Sequence, residues 1–538
     1  MARTPMESAD HVVVGAGAAG CVLAARLSED PAARVVLLEA GPRSRKLETR
    51  IPAAFNKLFH SALDWDYATA PEPSLDDREL YWPRGKAVGG STVMNAQMWV
   101  RGSRADYDAW AAAGCDGWGW DDVAGTFCDI ERCGRGPAPW RGTDGPLQIN
   151  ELRSPNPMTA AFVEAAVAAG IPRTHDVNDP EHHEGVDFTQ VCQKGGRRHS
   201  VADAYLGPAR RRPNLTVLTG ARAVEVLMQD GRATGVRYRR DRMVETIWAG
   251  SEVFLCGGSI NTPQLLMRSG IGPADHLSER GVECRVDLPG VGSNLQDHLF
   301  AAVITLSAEG VAGSLLTAES NRNLAAWAFG GRGMLSSNVG EALAMVRTDP
   351  ALPAADIELI FAPVPFMDHG LTVPPGHGIS IGAVLLQPES RGTIRLGSSD
   401  PLASPVISPG YLTDPDGRDL ATLTAGVRLA QQVMSGEALA AYVDRPLEPA
   451  EVPTDDDGWH RFIREQAETL YHPVGTARMG PADDPASVVD PQLRVLGVDG
   501  LRVVDASVMP TINRGHTQAP TMLIAERAAA MVAAGAAP

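Results

Sequence analysis

The chain has no run of about eighteen consecutive apolar residues, so no transmembrane helix is expected. Its first ten residues, Met1 to Asp10, lack an apolar signal core, and the first apolar run belongs to a candidate strand. Cysteine is sparse: seven residues, an odd number, with no C-x-x-C spacing. A disulfide framework or a zinc site is therefore not expected, and a reducing, cytoplasmic location fits. Lysine occurs only at Lys46, Lys57, Lys86 and Lys194, and arginine supplies the rest of the 48 basic residues. That usage fits a GC-rich bacterial genome. The net charge of -17 excludes the basic surface on which nucleic-acid affinity rests. It is read mainly as a solvated surface, with an acidic approach to a cationic substrate as the minor alternative. No internal repeat is present. What remains is 538 residues with 44% hydrophobic composition, enough for two or three interlocked domains.

The first forty residues carry the sharpest signal. An apolar segment, His11 to Val14, runs into Gly15-x-Gly17-x-x-Gly20, and an Ala-rich helical segment follows from Cys21 to Ser28. Arg34-Val-Val-Leu-Leu-Glu39 is a second strand ending in an acid. Gly15 permits a tight turn, Gly17 lets the backbone approach a pyrophosphate, and Gly20 lets helix pack on strand. The helix N-terminus offers free N–H groups to phosphate, and Glu39 stands where an acid holds ribose hydroxyls. This is a dinucleotide-binding βαβ unit.

The pattern then becomes discontinuous. Ile51–Trp82 is polar and aromatic, Pro83–Gly102 is dense in glycine, and Asp106–Arg132 is partly helical. Met158–Ala169 reads as an amphipathic helix. Four short apolar runs beginning at Leu215, Ala223, Thr234 and Val244 read as a β-meander. It returns through Glu252–Cys256 to Gly257-Gly258 and a helix over Asn261–Arg268. The Pro-rich segment from about Leu306 to Gly458 reads as an antiparallel sheet, and the α/β style resumes with Leu501–Asp505 and a helix over Ala519–Val532. The fold class is α/β, mixed with α+β features.

Several blocks resemble the glucose–methanol–choline (GMC) flavoprotein oxidoreductases. They are Pro83–Asn95 with Arg101-Gly102, Gly258–Leu266 with Ser269–Gly272, Leu288–His298, His472–Gly480 and Asp505–Pro510. The resemblance implies FAD and a Rossmann-like FAD-binding domain interleaved with a substrate domain. It divides the chain into 1–305 (FAD-binding, with insertions around 46–82 and 150–205), 306–458 (substrate-binding) and 459–538 (a return to the FAD-binding domain). It further implies that Gly15, Gly17, Ala19, Gly20, Glu39 and Ala40 hold the ADP half. Gly89, Gly90 and Asn95 would lie along the pyrophosphate and isoalloxazine, with Arg84, Val88, Met98 and Val100 as further neighbours. Val224 would meet the adenine, Asp505 and Ala506 the ribityl side, and His516, Thr517 and Gln518 the flavin. Met94 stands where some relatives carry a histidine bonded covalently to flavin, so dissociable FAD is expected.

Of thirteen histidines, the resemblance places His472 and His516 beside the reactive flavin edge. Oxidising an alcohol needs a group that takes the hydroxyl proton as the hydride leaves, and neutral imidazole does this near neutral pH. His472 is assigned as general base and His516 as the partner that orients the oxygen. His298 is read as structural, His182-His183 as no metal site, and Asp455–Asp457 as a solvated loop. Glu341 is offered as a contact to a cationic substrate, against a structural salt bridge. The expected activity is FAD-dependent oxidation of a primary alcohol, passing electrons to oxygen or another acceptor. A hydroxynitrile-lyase type of chemistry is the alternative. A light-driven decarboxylase and a flavin binder with a dead site are disfavoured by the two histidines.

Overall fold

A computed structural model describes residues 8–535. Two seven-stranded sheets carry the architecture. In the first, the order is Leu215–Thr219, Val35–Glu39, Ser8–Val14, Met243–Leu255, Arg232–Arg240, Ala221–Gln229, and Leu501–Val503 pairs with the end of Met243–Leu255. Ser8–Val14 lies between two parallel neighbours, which is why its C-terminal half is continuously apolar and buried. The helix Ala18–Leu27 follows directly and is buried along most of its length.

Two details differ from the sequence reading. Leu215–Thr219 is not the first meander strand. It runs parallel to Val35–Glu39 at the opposite edge, and Gly220, at φ +68, turns the chain into the true meander. The runs at Val244 and Glu252 are one strand, Met243–Leu255. Its first half pairs antiparallel with Arg232–Arg240 and its second half parallel with Ser8–Val14, so it joins the meander to the nucleotide-binding sheet. Periodicity gives strand character but says nothing of which edge a strand joins.

The second sheet is antiparallel, in the order Arg445–Glu448, Leu299–Leu306, Gly378–Leu385, Ile357–Ala362, Ala342–Val346, Gly185–Phe188. Glu468–Thr469 pairs with Leu299–Phe300 and delivers the chain to His472. Strand alternation divides this sheet's two faces. On Gly378–Leu385, Ala383 packs on the helix Arg418–Met434, where a Cβ on Gly426 would stand 3.1 Å from the Ala383 Cβ. Ser380 and Gly382 face the other way, into a cleft shared with the first sheet. Asp455–Asp457 are exposed, but they start a helix rather than a loop: Asp455 caps Asp456–Gln466 by accepting from the Gly458 N–H. Among the described residues no helix is long and apolar enough to cross a membrane.

Candidate active site

One end of the cleft is made of backbone. Gly15, at φ +102, sits where a Cβ would lie 2.4 Å from the Cys256 carbonyl oxygen, so only glycine fits. A Cβ on Gly20 would lie 1.8 Å from the Gly15 carbonyl oxygen, so helix and turn are in direct contact there. A Cβ on Gly17 would meet nothing within 4 Å. Gly17 caps the helix Ala18–Leu27 without a side chain, which leaves the N–H groups of Ala18 and Ala19 facing the cleft. From the other side Gly90, at φ +53, comes so close that its Cβ would stand 2.7 Å from the Gly17 Cα. Such paired glycine edges with free N–H groups form an anion cradle. Glu39 lines the same end, and its carboxylate accepts from the N–H groups of Ala16 (2.8 Å) and Gly41 (2.7 Å). Burial pushes it up to about 7. Ribose hydroxyls would supply donors for its remaining lone pairs.

The other end is made of side chains from distant segments. His472 and His516 meet edge to face, with ring centroids 4.9 Å apart. His472 follows Tyr471, a non-glycine residue at φ +68, and the turn holding this strained backbone is fixed from three directions. Tyr471 N–H donates to Thr469 Oγ1 (2.7 Å), Arg84 donates to the Tyr471 carbonyl (2.5 Å), and His472 N–H donates to Asp297 Oδ1 (2.7 Å). The Tyr471 hydroxyl also meets His369 Nδ1 at 2.7 Å. His516 Nε2 lies 3.1 Å from Glu358 Oε1, and its own N–H donates to the Val100 carbonyl (3.1 Å). Burial, then the neighbouring His516, His298 and Arg84, hold His472 well below its usual value, so it is neutral at physiological pH.

The GMC oxidoreductase family models match residues 9–300 and 388–525. The chain is a GMC oxidoreductase. It is 49% identical, over 97% of its own length and 99% of the other's, to an uncharacterised GMC-type oxidoreductase of Mycobacterium tuberculosis. It is 43% identical to an alcohol dehydrogenase [acceptor] of Pseudomonas putida, covering 97% and 95% of the two chains. Among solved structures, pyridoxine 4-oxidase from Mesorbium loti superposes with a TM-score of 0.89 at 32% identity, covering 98% and 99%. As a GMC oxidoreductase it takes FAD, and the glycine cradle with its unpaired helix N–H groups fits the pyrophosphate of that cofactor.

Most of the cofactor residues expected of this GMC oxidoreductase line the cleft: Gly15, Gly17, Ala19, Glu39, Ala40, Arg84, Gly90, Asn95, Met98, Asp505, Ala506, Thr517 and Gln518. Five stand behind its wall. Gly20 packs on Gly15, Gly89 donates to the Ala16 carbonyl (2.7 Å), and Val88 donates to Pro42. Val100 is fully buried, and Val224 yields the wall to Ala221, Arg222 and Ala223. Asp505 is spent on the chain itself, accepting from Gly258 N–H, Thr262 Oγ1 and Ser507. Arg101, quoted in the first block, pairs with buried Glu131. The amide of Gln518 accepts from Asn95 Nδ2 at 2.6 Å.

Glu341 does not reach the cleft. It is buried and accepts from Asn156 N–H, Thr159 Oγ1 and Ser337 Oγ, so it ties its loop to the helix Pro157–Ala168. His182 is exposed, while His183 is buried and meets the Val177 carbonyl at 2.7 Å. Among the described residues one group, Asp368, His369 and Glu468, brings three potential ligand atoms within 4.8 Å of one another. Sequence reasoning missed one polar residue at the histidine end of the cleft. Glu358 sits in the apolar run Ile357–Phe361, and period-2 alternation with Ile360 and Ala362, both in the cleft wall, was the available signal that it faces inward. His298, structural on the sequence reading, lies against His472.

Proposed function

We propose that this GMC oxidoreductase oxidises an apolar primary alcohol to its aldehyde, with His472 as general base and His516 holding the hydroxyl oxygen. The observation that carries the reading is the pair of imidazoles at the end of the FAD cleft, facing a wall with no carboxylate among its described residues. That wall is built by Phe300, Ala302, Ile360, Ala362 and Gly382 of the second sheet, with Phe55, Phe59 and Phe366 opposite. Its one hydroxyl on the sheet, Ser380, is already committed: it donates to the Val364 carbonyl (2.9 Å) and accepts from Phe366 N–H (2.8 Å). The polar groups left to meet a substrate are the imidazoles and the Gln97 amide, whose Oε1 has no partner, and the rest of this wall is apolar, so most of the substrate that does not react is apolar. The acidic approach to a cationic substrate, the minor reading of the net charge, finds no carboxylate on this wall. The relative described as an alcohol dehydrogenase supports the reaction class.

FAD, when bound, supplies the acceptor for the hydride. The residues of the chain do the rest. His472 takes the hydroxyl proton as the O–H bond breaks. His516, its ring held through Nε2 by Glu358, stands against the His472 ring and bounds the position of the substrate oxygen by contact, where small displacements cost rate heavily. The aromatic wall keeps water from the site. Met94 cannot form the covalent histidine link, so FAD is held by contacts alone.

The test is anaerobic mixing of the yellow holoenzyme with a panel of aliphatic and aromatic primary alcohols and choline, watching the flavin absorbance. Bleaching by apolar alcohols and not by choline is expected. Bleaching by choline alone would overturn the substrate class, and an unbleached flavin with conversion of a cyanohydrin would overturn the reaction. Admitting air then separates an oxidase, which recovers its colour rapidly, from a dehydrogenase.

A further inference from the structure

His298 lies in none of the roles assigned above, yet it touches the proposed base. It is fully buried. Its Nε2 lies 3.1 Å from the Leu386 carbonyl oxygen and its Nδ1 lies 2.9 Å from His472 Nδ1. A carbonyl oxygen only accepts, so His298 Nε2 carries a hydrogen and donates it. Burial pushes His298 down to about 3, so the ring is neutral and has one hydrogen only. Its Nδ1 is then a bare lone pair. Two nitrogens 2.9 Å apart need one hydrogen between them, and that hydrogen belongs to His472 Nδ1. The hydrogen bonds of His472 to the described residues are made by Nδ1 and the main-chain N–H, so Nε2 is left as the lone pair of a ring that lines the cleft.

We infer that His298 is a positioning residue that locks His472 in its Nδ1–H tautomer and so aims a bare Nε2 at the substrate hydroxyl. The relay runs Leu386 carbonyl, His298, His472, substrate. When the hydroxyl proton arrives, the O–H bond breaks, the Nε2–H bond forms, and the positive charge on His472 is met by the lone pair of His298 through Nδ1–H. The neighbouring Asp297 completes the device from the backbone side: its Oδ1 accepts from His472 N–H, while its Oδ2 accepts from Tyr411 and Thr469 hydroxyls. Two consecutive residues thus fix both the main chain and the ring of the base. A third group that orients an imidazole base is a general requirement of such chemistry, and here a neutral imidazole fills the place that a carboxylate commonly takes.

This inference rests on His472 being the base, and its tests separate the two ideas. His298→Leu removes the acceptor, and His298→Asn places an amide oxygen near the lost Nδ1. Flavin reduction at saturating alcohol is expected to slow at least about tenfold in the Leu variant, with flavin content and alcohol dissociation constant unchanged. The Asn variant is expected to recover to within about threefold of the parent. Reduction at the parent rate in His298→Leu would overturn the inference, as would an Asn variant as slow as Leu. A reading free of variants at position 298 and of turnover is the 15N spectrum of the histidine-labelled holoenzyme, assigned by the signals lost in His472→Gln. It should show His472 protonated at Nδ1 and bare at Nε2, and the reverse assignment would sink the inference even if the Leu variant failed to fold. If no alcohol reduces the flavin of the parent, the functional reading fails while the spectrum still decides the tautomer.

Discussion

The two ends of the cleft are built from different materials. At the dinucleotide end the ligand-facing groups are main-chain N–H groups, and the side chains that matter are mostly hydrogens: Gly15, Gly17, Gly20 and Gly90. At the proposed catalytic end they are side chains carried in from far apart along the sequence, namely His298, Glu358, His472 and His516. The first kind of site is defined by backbone geometry, which restricts the residue type at each position. The second is defined by which hydrogen-bond partner each ring finds. Damage should follow the same division: changes at the first end should empty the protein of FAD, and changes at the second should leave a yellow protein that reacts slowly.

The largest effect is expected at His472, the proposed base. His472→Ala should slow anaerobic flavin reduction by about 10²–10⁴-fold, or roughly 3–5 kcal/mol of barrier, with full flavin content. Loss of FAD with a normal rate per bound flavin would break the comparison. The pH profile sharpens it. His472 is held below its ordinary value of 6.5, and the base must be neutral to act. Stopped-flow reduction should therefore be flat from pH 7 upward and fall only on the acid side of 6.5, where His472 takes a proton. A rate that drops as pH rises through 7 would contradict the assignment.

Gly90→Ala is the matching lesion at the dinucleotide end. The new Cβ would stand 2.7 Å from the Gly17 Cα in a backbone at φ +53. Left-handed conformation and overpacking together cost about 2–4 kcal/mol. The purified protein should carry much less FAD, read from the flavin-to-protein absorbance ratio, and the flavin that remains should be reduced near the parent rate. Full occupancy would mean that the cradle yields more than its geometry allows.

The division also explains what the sequence disclosed. Gly15-x-Gly17-x-x-Gly20 and Glu39 were legible because a tight turn, a close approach and a helix contact each exclude nearly every other residue. The histidines were legible only through the resemblance of their blocks. Nothing local to Leu288–His298 says that His298 will meet a ring 174 positions away, so a buried loop histidine was the natural reading. Glu341 looked available because it follows Asn338-Val-Gly, and the three donors that consume it come from Ser337 and the distant Asn156 and Thr159. The edge joined by Leu215–Thr219 was hidden for the same reason: pairing is a long-range choice that a short apolar run does not record.

Glu358→Gln probes the catalytic end more gently. The amide keeps an oxygen for His516 Nε2–H but loses the charge that strengthens this bond. A loss of about tenfold in the rate of flavin reduction is expected, roughly 1.4 kcal/mol, with alcohol affinity little changed. An unchanged rate would make Glu358 a packing residue and leave His516 held by the Val100 carbonyl alone.

The smallest effect expected comes from the same chemical change as in Gly90→Ala, placed at the other end. A Cβ on Gly382 would meet the Phe300 ring at 3.2 Å and the Ala302 Cβ at 3.8 Å. Gly382 does not have a positive φ, and its neighbours are side chains rather than main chain, so the ring can give by a few tenths of an ångström. The fold and the flavin content should be unaffected. The methyl group narrows the apolar wall, so bulky aromatic alcohols should lose about threefold in the rate of flavin reduction at low concentration relative to short ones. That is under about 1 kcal/mol, the scale of one methylene in a hydrophobic pocket. The measurement is the ratio of second-order reduction rates for an aromatic and a short aliphatic alcohol in parent and variant. If that ratio stays fixed, Gly382 does not bound the substrate and the pocket lies elsewhere on the wall. If FAD is lost instead, the two ends of the cleft are coupled through the second sheet, and the division between a backbone-built and a side-chain-built half would have to be given up.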